Sequence, residues 1–380
     1  MTADPHRLIA AHAAAIDFYR QHLLDNDTAR LYLARRGFAI LALRDLPWQP
    51  GIDKPWRIGY APATWTALTD HLIHKGFTTA ELVTAGLART ATTGRAYDTF
   101  RDRIMFPIRS ADGEPIAFTG RALYPSDKAP KYLNTPDSPI FHKGQHLYGL
   151  AEQHDRLHAG GAPVIVEGPL DVHAVWLAHP DGAGLPRVAL AACGTALTPN
   201  HIALLTALPG ITRHGITTAY DNDTAGRAAT ERAWNLLHTI KGLPLRAAVL
   251  PDGADPADLT THPDRVAALR AGLTHEARPL LEAVIDQHLD QFINRHADTP
   301  DSPELRVAAV RNVAHLLTHM PPDDSHRIVK HVAGITGAAP EVVTSAIIAA
   351  FDQEDAGHPG SPPATAQPPP SRPRAGRAFP

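Results

Sequence analysis

A chain of 380 residues with 44% hydrophobic side chains has room for roughly two or three domains and enough apolar surface to bury their cores. The single cysteine, Cys193, excludes an internal disulfide framework and a cysteine-based zinc module. No apolar run approaches the ~18 residues of a membrane span, and the start has no signal pattern, so a cytoplasmic location and no membrane partner are expected. A formal charge of −3 neither calls for nucleic acid nor excludes it, because a local cationic groove matters more than a sum.

Residues 1–46 read as helical. Apolar positions recur at helical spacing through LIAAHAAAIDFYRQHLL, and TARLYLARRGF ends in Arg35, Arg36 and Gly37, cations followed by a glycine stop. A proline-punctuated connection over 47–60 leads to two short helices, WTALTDHLIHKGF and TTAELVTAGL, each closed by glycine. The plain reading of this region is an all-helical packing unit. From Tyr97 the period changes: RIMFPIR and EPIAFTGR alternate around Ala111, Asp112 and Gly113 and predict a β-hairpin. KAPKYLNTPDSPIFHKGQHLYGL is too irregular for one element. Loops this long in a compact domain are usually functional or disordered. Lys131, Tyr132, Asn134, His142 and Lys143 favour function, having the chemistry to grip phosphates and stack on bases.

Residues 162–258 give about four strand-helix units and predict a mainly parallel sheet. Each acid follows a short apolar run: Glu167 in VIVEGPLDVHA, Asp221 and Asp223 in TAYDNDTAGRAA, Asp255 and Asp258 in LPDGADPADL. Open α/β sheets present ligands at the carboxyl ends of their strands. Asp171 lies four residues after Glu167, in the first turn of the next helix, and is expected to face the same spot. Converging carboxylates repel one another unless a cation sits between them, and hard oxygen donors select Mg²⁺ or Mn²⁺ over zinc, for which this chain offers no ligand set. The 23 histidines are scattered and form no H-E-x-x-H group. Cys193 and Tyr220 read as packing residues and Arg227 as a structural or phosphate-contacting cation. Residues 263–350 return to helices, with Val307, Val310, Ala314 and Leu317 at helical spacing. From Gln353 to Pro380 the composition predicts disorder.

The E-G-x-x-D, D-x-D and D-G-x-D-P-x-D runs resemble the TOPRIM fold, and their flanks resemble the catalytic core of bacterial DnaG-type DNA primases. YDTFRDRIMFPIRSADGEPIAFTGRAL, PKYLNTPDSPIFHKGQHLYGL and GTALTPNHIALL are similar to that core almost phrase for phrase. The resemblance spans about residues 15 to 350, in the family's order. It implies an α/β protein, α+β overall: a TOPRIM Rossmann-like, mainly parallel sheet flanked by an N-terminal α+β basic subdomain and a C-terminal helical subdomain. The expected boundaries are 1–160, 161–262, 263–352 and a tail over 353–380.

By resemblance, Glu167, Asp171, Asp221, Asp223 and Asp255 hold the catalytic metals, with Asp258 at a place where the family's acids vary. Glu167, Asp221 and Asp223 are the expected catalytic acids. Arg101, Arg103, Arg121, Lys131, Tyr132, Asn134 and Lys143 match the ridge that binds template and nucleotide. Pro169, Leu170 and Asn222 depart mildly from the family pattern without changing a ligand. The implied activity is synthesis of short RNA primers on single-stranded DNA from ribonucleoside triphosphates. Primases of this type carry a zinc-binding module before the core and a helicase-interaction domain after it. Neither is seen in this sequence, so a helicase or zinc-module protein in trans is the expected partner, in the setting of a plasmid, phage or integrated element. The same carboxylates also suit a TOPRIM metal-dependent nuclease, or an accessory protein that binds nucleic acid and has lost priming.

Overall fold

The computed structural model describes residues 3–38, 56–124, 130–179, 184–221, 223–251 and 254–357. Expectations placed on residues 39–55, on Asn222, on the Asp252-Gly253 pair and on residues 358–380 lie outside the described residues. The chain divides into two compact units, Met1–Gln287 and His288–Pro380.

The first unit holds two main sheets. One is antiparallel, in the order Gly59–Ala61, Arg103–Arg109, Pro115–Ala122, Tyr132–Asn134. Its centre is the predicted hairpin, paired from Arg103 opposite Ala122 to Arg109 opposite Pro115, with Gly113 taking the left-handed conformation the turn needs. The long helix Pro5–Leu24 covers this sheet with Leu8, Ala11, Ala15 and Tyr19, which pack on Met105 and Phe118. The helix crosses so closely that a Cβ on Gly59 would lie 2.5 Å from that of Tyr19. The N-terminal region is therefore not all-helical. Gly59–Ala61 joins the sheet, and Ala88–Thr90 pairs with Ala96–Asp98 as a separate ribbon.

The second sheet runs Arg278–Pro279, Leu245–Ala247, Ile216–Ala219, Ala162–Val166, Arg187–Ala191. All its pairings are parallel except that of the edge strand Arg278–Pro279. The helix Pro169–Ala178 is apolar on every side and almost wholly buried, as an inner-layer helix must be. Its Val172, Ala174 and Val175 share one core with Ile104 and Phe106 of the antiparallel sheet and Val164 and Val166 of the parallel one. His173 goes inside with them. Burial holds its ring neutral, down to about 3, and its Nε2 lies 2.7 Å from the Tyr148 hydroxyl.

Where the two sheets meet, Tyr148 bridges to Ala191, and the buried Glu152 lies 3.4 Å from Arg109. Burial pushes the Glu152 carboxyl up to about 7. A carboxyl raised in this way favours folding most when protonated, so its contribution is lost as pH rises from ~4.5 through 7. Glu152→Gln is therefore expected to raise the unfolding free energy at pH 8 by up to about 3 kcal/mol, less whatever the Arg109 contact supplied. It should change little at pH 4.5, and urea denaturation at the two pH values would measure the difference. A gain at both, or at neither, would refute this account of Glu152.

In the second unit, helices Pro303–Leu317, Ser325–Thr336 and Pro340–Gly357 bury Val310, Val313, Leu317, Ile328, Val332 and Val343. Residues 353–357, expected to begin the tail, continue the last helix. Among the described residues no single helix is long and apolar enough to cross a membrane.

Candidate active site

The acids are set out by strand ends. Glu167 is the first residue to emerge from the buried strand Ala162–Val166. Pro169 suits the first turn of the next helix because its missing N–H would be unsatisfied there. Asp171 reaches back to accept the Gly168 amide at 3.1 Å, and the buried helix carries it inward. Beside it, the strand Ile216–Ala219 leads through Tyr220 to Asp221, whose amide donates to Glu167 Oε1 at 3.2 Å. Asp223 caps the helix Thr224–Leu237 by accepting the Gly226 amide at 2.8 Å, and Asp255 caps the turn Pro256–Thr260 by accepting the Asp258 amide at 2.7 Å.

Glu167, Asp171, Asp223 and Asp255 thus each commit one oxygen to a backbone amide, which fixes the carboxylate and leaves its other oxygen. Asp221 Oδ1 is buried with no hydrogen-bond partner. Glu167, Asp171, Asp221 and Asp255 line one cavity of about 220 Å³ together with Arg36, Arg121, Lys131, Tyr132 and Asn134. Asp223 does not line it, although its charge is felt at Glu167 and Asp221. Asp258 is turned to Arg36, 3.1 Å away.

Burial is the largest perturbation of Glu167, Asp171 and Asp221. It raises Glu167, with the Asp223 and Asp255 charges adding to it and the Asp221 amide and Lys131 opposing. Burial and the charges of Asp255, Asp221 and Glu167 push Asp171 well above the carboxylate range. Burial, Glu167 and Asp255 push Asp221 up to about 6, again against Lys131. Among the described residues no three acidic side chains stand close enough to enclose an ion as placed. The donor set nevertheless fits a divalent cation. Its oxygens are hard, one is orphaned, and the strain between the charges is what a cation relieves.

The residues of the expected cationic ridge are not equivalent. Lys131 is exposed and lines the cavity. Arg121, 8% exposed, donates through Nε to the Tyr32 hydroxyl and through Nη1 to the Tyr132 hydroxyl at 3.0 Å. Arg103, 5% exposed, donates to the carbonyls of Gly120 at 2.9 Å and Pro130 at 3.0 Å, which fastens the base of the Lys131 segment. Arg101 and Lys143 lie outside the cavity lining. Lys143 starts the 3₁₀ turn Lys143–Gln145, which Thr198 secures by donating to the Gly144 carbonyl at 2.6 Å. His142 stands 3.8 Å from Asp137.

Asn134 donates through Nδ2 to the Cys193 carbonyl at 2.9 Å. That carbonyl is presented by two successive left-handed residues, Cys193 at φ 48° and Gly194 at φ 82°. The positive φ at Gly194 favours glycine, and a Cβ there would lie 2.4 Å from Asn134 Nδ2 and displace that amide. Burial pushes the Cys193 thiol up, away from thiolate chemistry. Sequence reasoning missed Arg36 and Tyr32. Arg35-Arg36-Gly37 carries a helix-stop signal, and nothing local separates Arg36 from Arg35.

Residues 18–154 match the model of the DNA primase catalytic core, N-terminal domain, and residues 164–260 match a Toprim-like model. The DNA primase of Mycolicibacterium smegmatis is 36% identical over 320 residues, 83% of this chain and 46% of that protein. The chain thus spans about half the length of that relative. The RNA polymerase domain of Mycobacterium tuberculosis primase DnaG in complex with double-stranded DNA is 33% identical. It superposes with a TM-score of 0.68 over 88% of this chain and 99% of that domain. A DnaG primase catalytic domain bound to ssDNA is 32% identical, with a TM-score of 0.59 over 88% of this chain and 96% of that one.

Proposed function

The chain belongs to the family of DnaG-type DNA primase catalytic cores, and from that membership we propose that it makes short RNA primers on single-stranded DNA by divalent-metal-dependent nucleotidyl transfer. The observation that carries this reading is one cavity in which four carboxylates from three strand ends meet Arg36, Arg121, Lys131 and Asn134. In this reading residues 1–160 supply the cationic and polar lining, residues 161–262 the acids, and residues 263–352 a helical extension. The substrates are a single-stranded DNA template and ribonucleoside triphosphates. A helicase or zinc-module protein acting in trans and a cytoplasmic location belong to the same proposal.

In the reaction a 3′-hydroxyl oxygen attacks the α-phosphorus of the incoming nucleotide, the bond to the bridging oxygen breaks, and pyrophosphate leaves. Glu167, Asp171, Asp221, Asp223 and Asp255 would hold Mg²⁺ or Mn²⁺, which when bound would supply charge neutralisation at the reacting phosphate. Lys131 and Arg36 line the cavity and offset triphosphate charge. Arg121, fixed by two tyrosines, contributes a cation that needs no reorganisation. Glu167, raised by partial desolvation at the cavity wall and by its acidic neighbours, takes up the hydroxyl proton. Asp258, 3.1 Å from Arg36, orients that cation.

The test is incubation with single-stranded DNA, Mg²⁺ or Mn²⁺ and labelled ribonucleotides. Short template-dependent RNA is expected. Shortened input DNA would mark a metal-dependent nuclease instead, and binding without either product an accessory protein.

A further inference from the structure

The acids have a second hollow behind them. A pocket of about 310 Å³ opens on the other side of Glu167, within the roughly 300–1,000 Å³ that small-molecule sites occupy. Glu167 and Gly194 line both hollows and form the wall between them. At the ends of the two flanking strands the linings follow strand alternation. Cys193 and Asp221 line the first cavity, and their neighbours Ala192 and Tyr220 line the second. The two hollows accordingly sit over opposite faces of the parallel sheet. Val164 and Val166 pack with the helix Pro169–Ala178, and Ile165 packs with Ala233 and Leu237 of the helix Thr224–Leu237.

The chemistry of the second pocket suits a nucleoside and not a triphosphate. Ala192 and Leu197 give it one apolar wall. Ala225, Ala229 and Arg232 follow at helical spacing along the other, so two small side chains leave room and a cation stands about 10 Å along the axis from Ala225. Burial pushes the Tyr220 phenol up, with the Glu167 charge adding and Arg232 opposing, so the hydroxyl stays protonated and can donate. None of Arg36, Arg121 and Lys131 lines this pocket. The cations that offset the triphosphate thus all belong to the first cavity. In an in-line displacement the attacking oxygen enters opposite the leaving group, so attacker and pyrophosphate need separate places on either side of the reacting phosphorus.

We propose that this second pocket holds the nucleotide that attacks, the initiating ribonucleotide or the 3′-terminal one of a growing primer, with its sugar at Glu167 and its 5′-phosphate at Arg232. This rests on the reading of the first cavity as the site of RNA synthesis. The 3′-oxygen bonds to the α-phosphorus across the Glu167 wall, its proton passes to Glu167, and pyrophosphate leaves on the side of Arg36, Arg121 and Lys131. The attacking nucleotide's own 5′-phosphate does not react, so a nucleoside monophosphate should serve as initiator.

The test uses a template that calls for adenine and then guanine, with AMP or adenosine as initiator, GTP as the incoming nucleotide, and Mn²⁺. Ala229→Leu keeps a good helix former and fills the slot. It should raise the KM for AMP and for adenosine about tenfold, the lower end of what a misfitted apolar group costs, and leave the KM for GTP as in the wild type. Arg232→Gln, at an exposed position, should raise the KM for AMP about tenfold, the usual effect of losing a charge-assisted hydrogen bond, and leave that for adenosine unchanged. Should Ala229→Leu fail to fold, this split between AMP and adenosine decides alone. Equal increases for AMP and GTP, or no increase for AMP, would overturn the pocket. Equilibrium dialysis of labelled AMP in EDTA reads binding without synthesis, and Ala229→Leu should weaken it about tenfold. RNA made with an AMP KM that neither variant moves would overturn the pocket and keep the polymerase. AMP binding that Ala229→Leu removes, in a protein that makes no RNA, would overturn the polymerase and keep the nucleotide site.

Discussion

Asp221→Asn should abolish RNA synthesis while making the metal-free protein more stable. Both effects come from one side chain. Asp221 is half-buried beside Glu167 and Asp255, and it is pushed up to about 6 because its charge is poorly placed without a cation. Asparagine keeps the shape, the backbone donation to Glu167 at 3.2 Å survives, and the repulsion goes. After allowance for solvent screening the gain is about 1–2 kcal/mol. The sign fixes its pH window. A raised carboxyl favours the folded state when protonated, and that contribution is lost as pH climbs from ~4 through 6. The gain in EDTA should accordingly be full at pH 8 and small near pH 4. Synthesis, in contrast, should fall by more than the ~10–100-fold that loss of a supporting group costs. Added Mn²⁺ should raise the unfolding temperature of the wild type more than that of the variant, because an ion that binds only the folded state stabilises it. A variant that still makes RNA, or that is less stable than the wild type in EDTA at pH 8, would show that Asp221 is not a metal-site carboxylate.

The catalytic half of the fold was legible because its signals are local and repeated. Val164 to Glu167 and Thr217 to Asp221 each show an apolar or β-branched run ending in an acid, and the helix signals that follow point to a parallel sheet. The hairpin around Asp112 and Gly113 was legible for the same reason. Leu245–Ala247 was legible too, but other strands of two or three residues were not. Gly59–Ala61, Ala88–Thr90 and Arg278–Pro279 are too short for a period-two pattern, and their partners lie far off in sequence or in pairings no turn motif announces. Nor does sequence separate a buried arginine from an exposed one. Arg103 and Arg121 look like Lys131 in a list of cations, yet one fastens backbone and the other is held by two tyrosines. The same limit applies to Asp258: its spacing after Asp255 does not announce the ion pair it makes with Arg36.

Gly226→Ala should damage both stability and synthesis, against the ordinary rule for helices. Alanine inside a helix is normally better than glycine by about 1 kcal/mol. Gly226 sits in the first turn of the helix Thr224–Leu237, where a Cβ would come 1.9 Å from the Asp221 carbonyl oxygen and 2.9 Å from its amide nitrogen. Those atoms belong to the backbone and cannot swing aside. Either the helix retreats, breaking the Gly226 amide's donation to Asp223, or the Asp221 loop moves out of the cavity. Overpacking of this kind costs about 1–3 kcal/mol, and a displacement of ~1 Å at reacting groups costs roughly a hundredfold in rate. Gly334 is the control. It lies within the helix Ser325–Thr336, with nothing inside 4 Å of an added Cβ. Gly334→Ala should keep full synthesis and gain up to about 1 kcal/mol. Urea denaturation and primer synthesis on both variants would decide the matter. If Gly226→Ala behaved like Gly334→Ala, the close approach of this helix to Asp221 would not be what holds the acid in place.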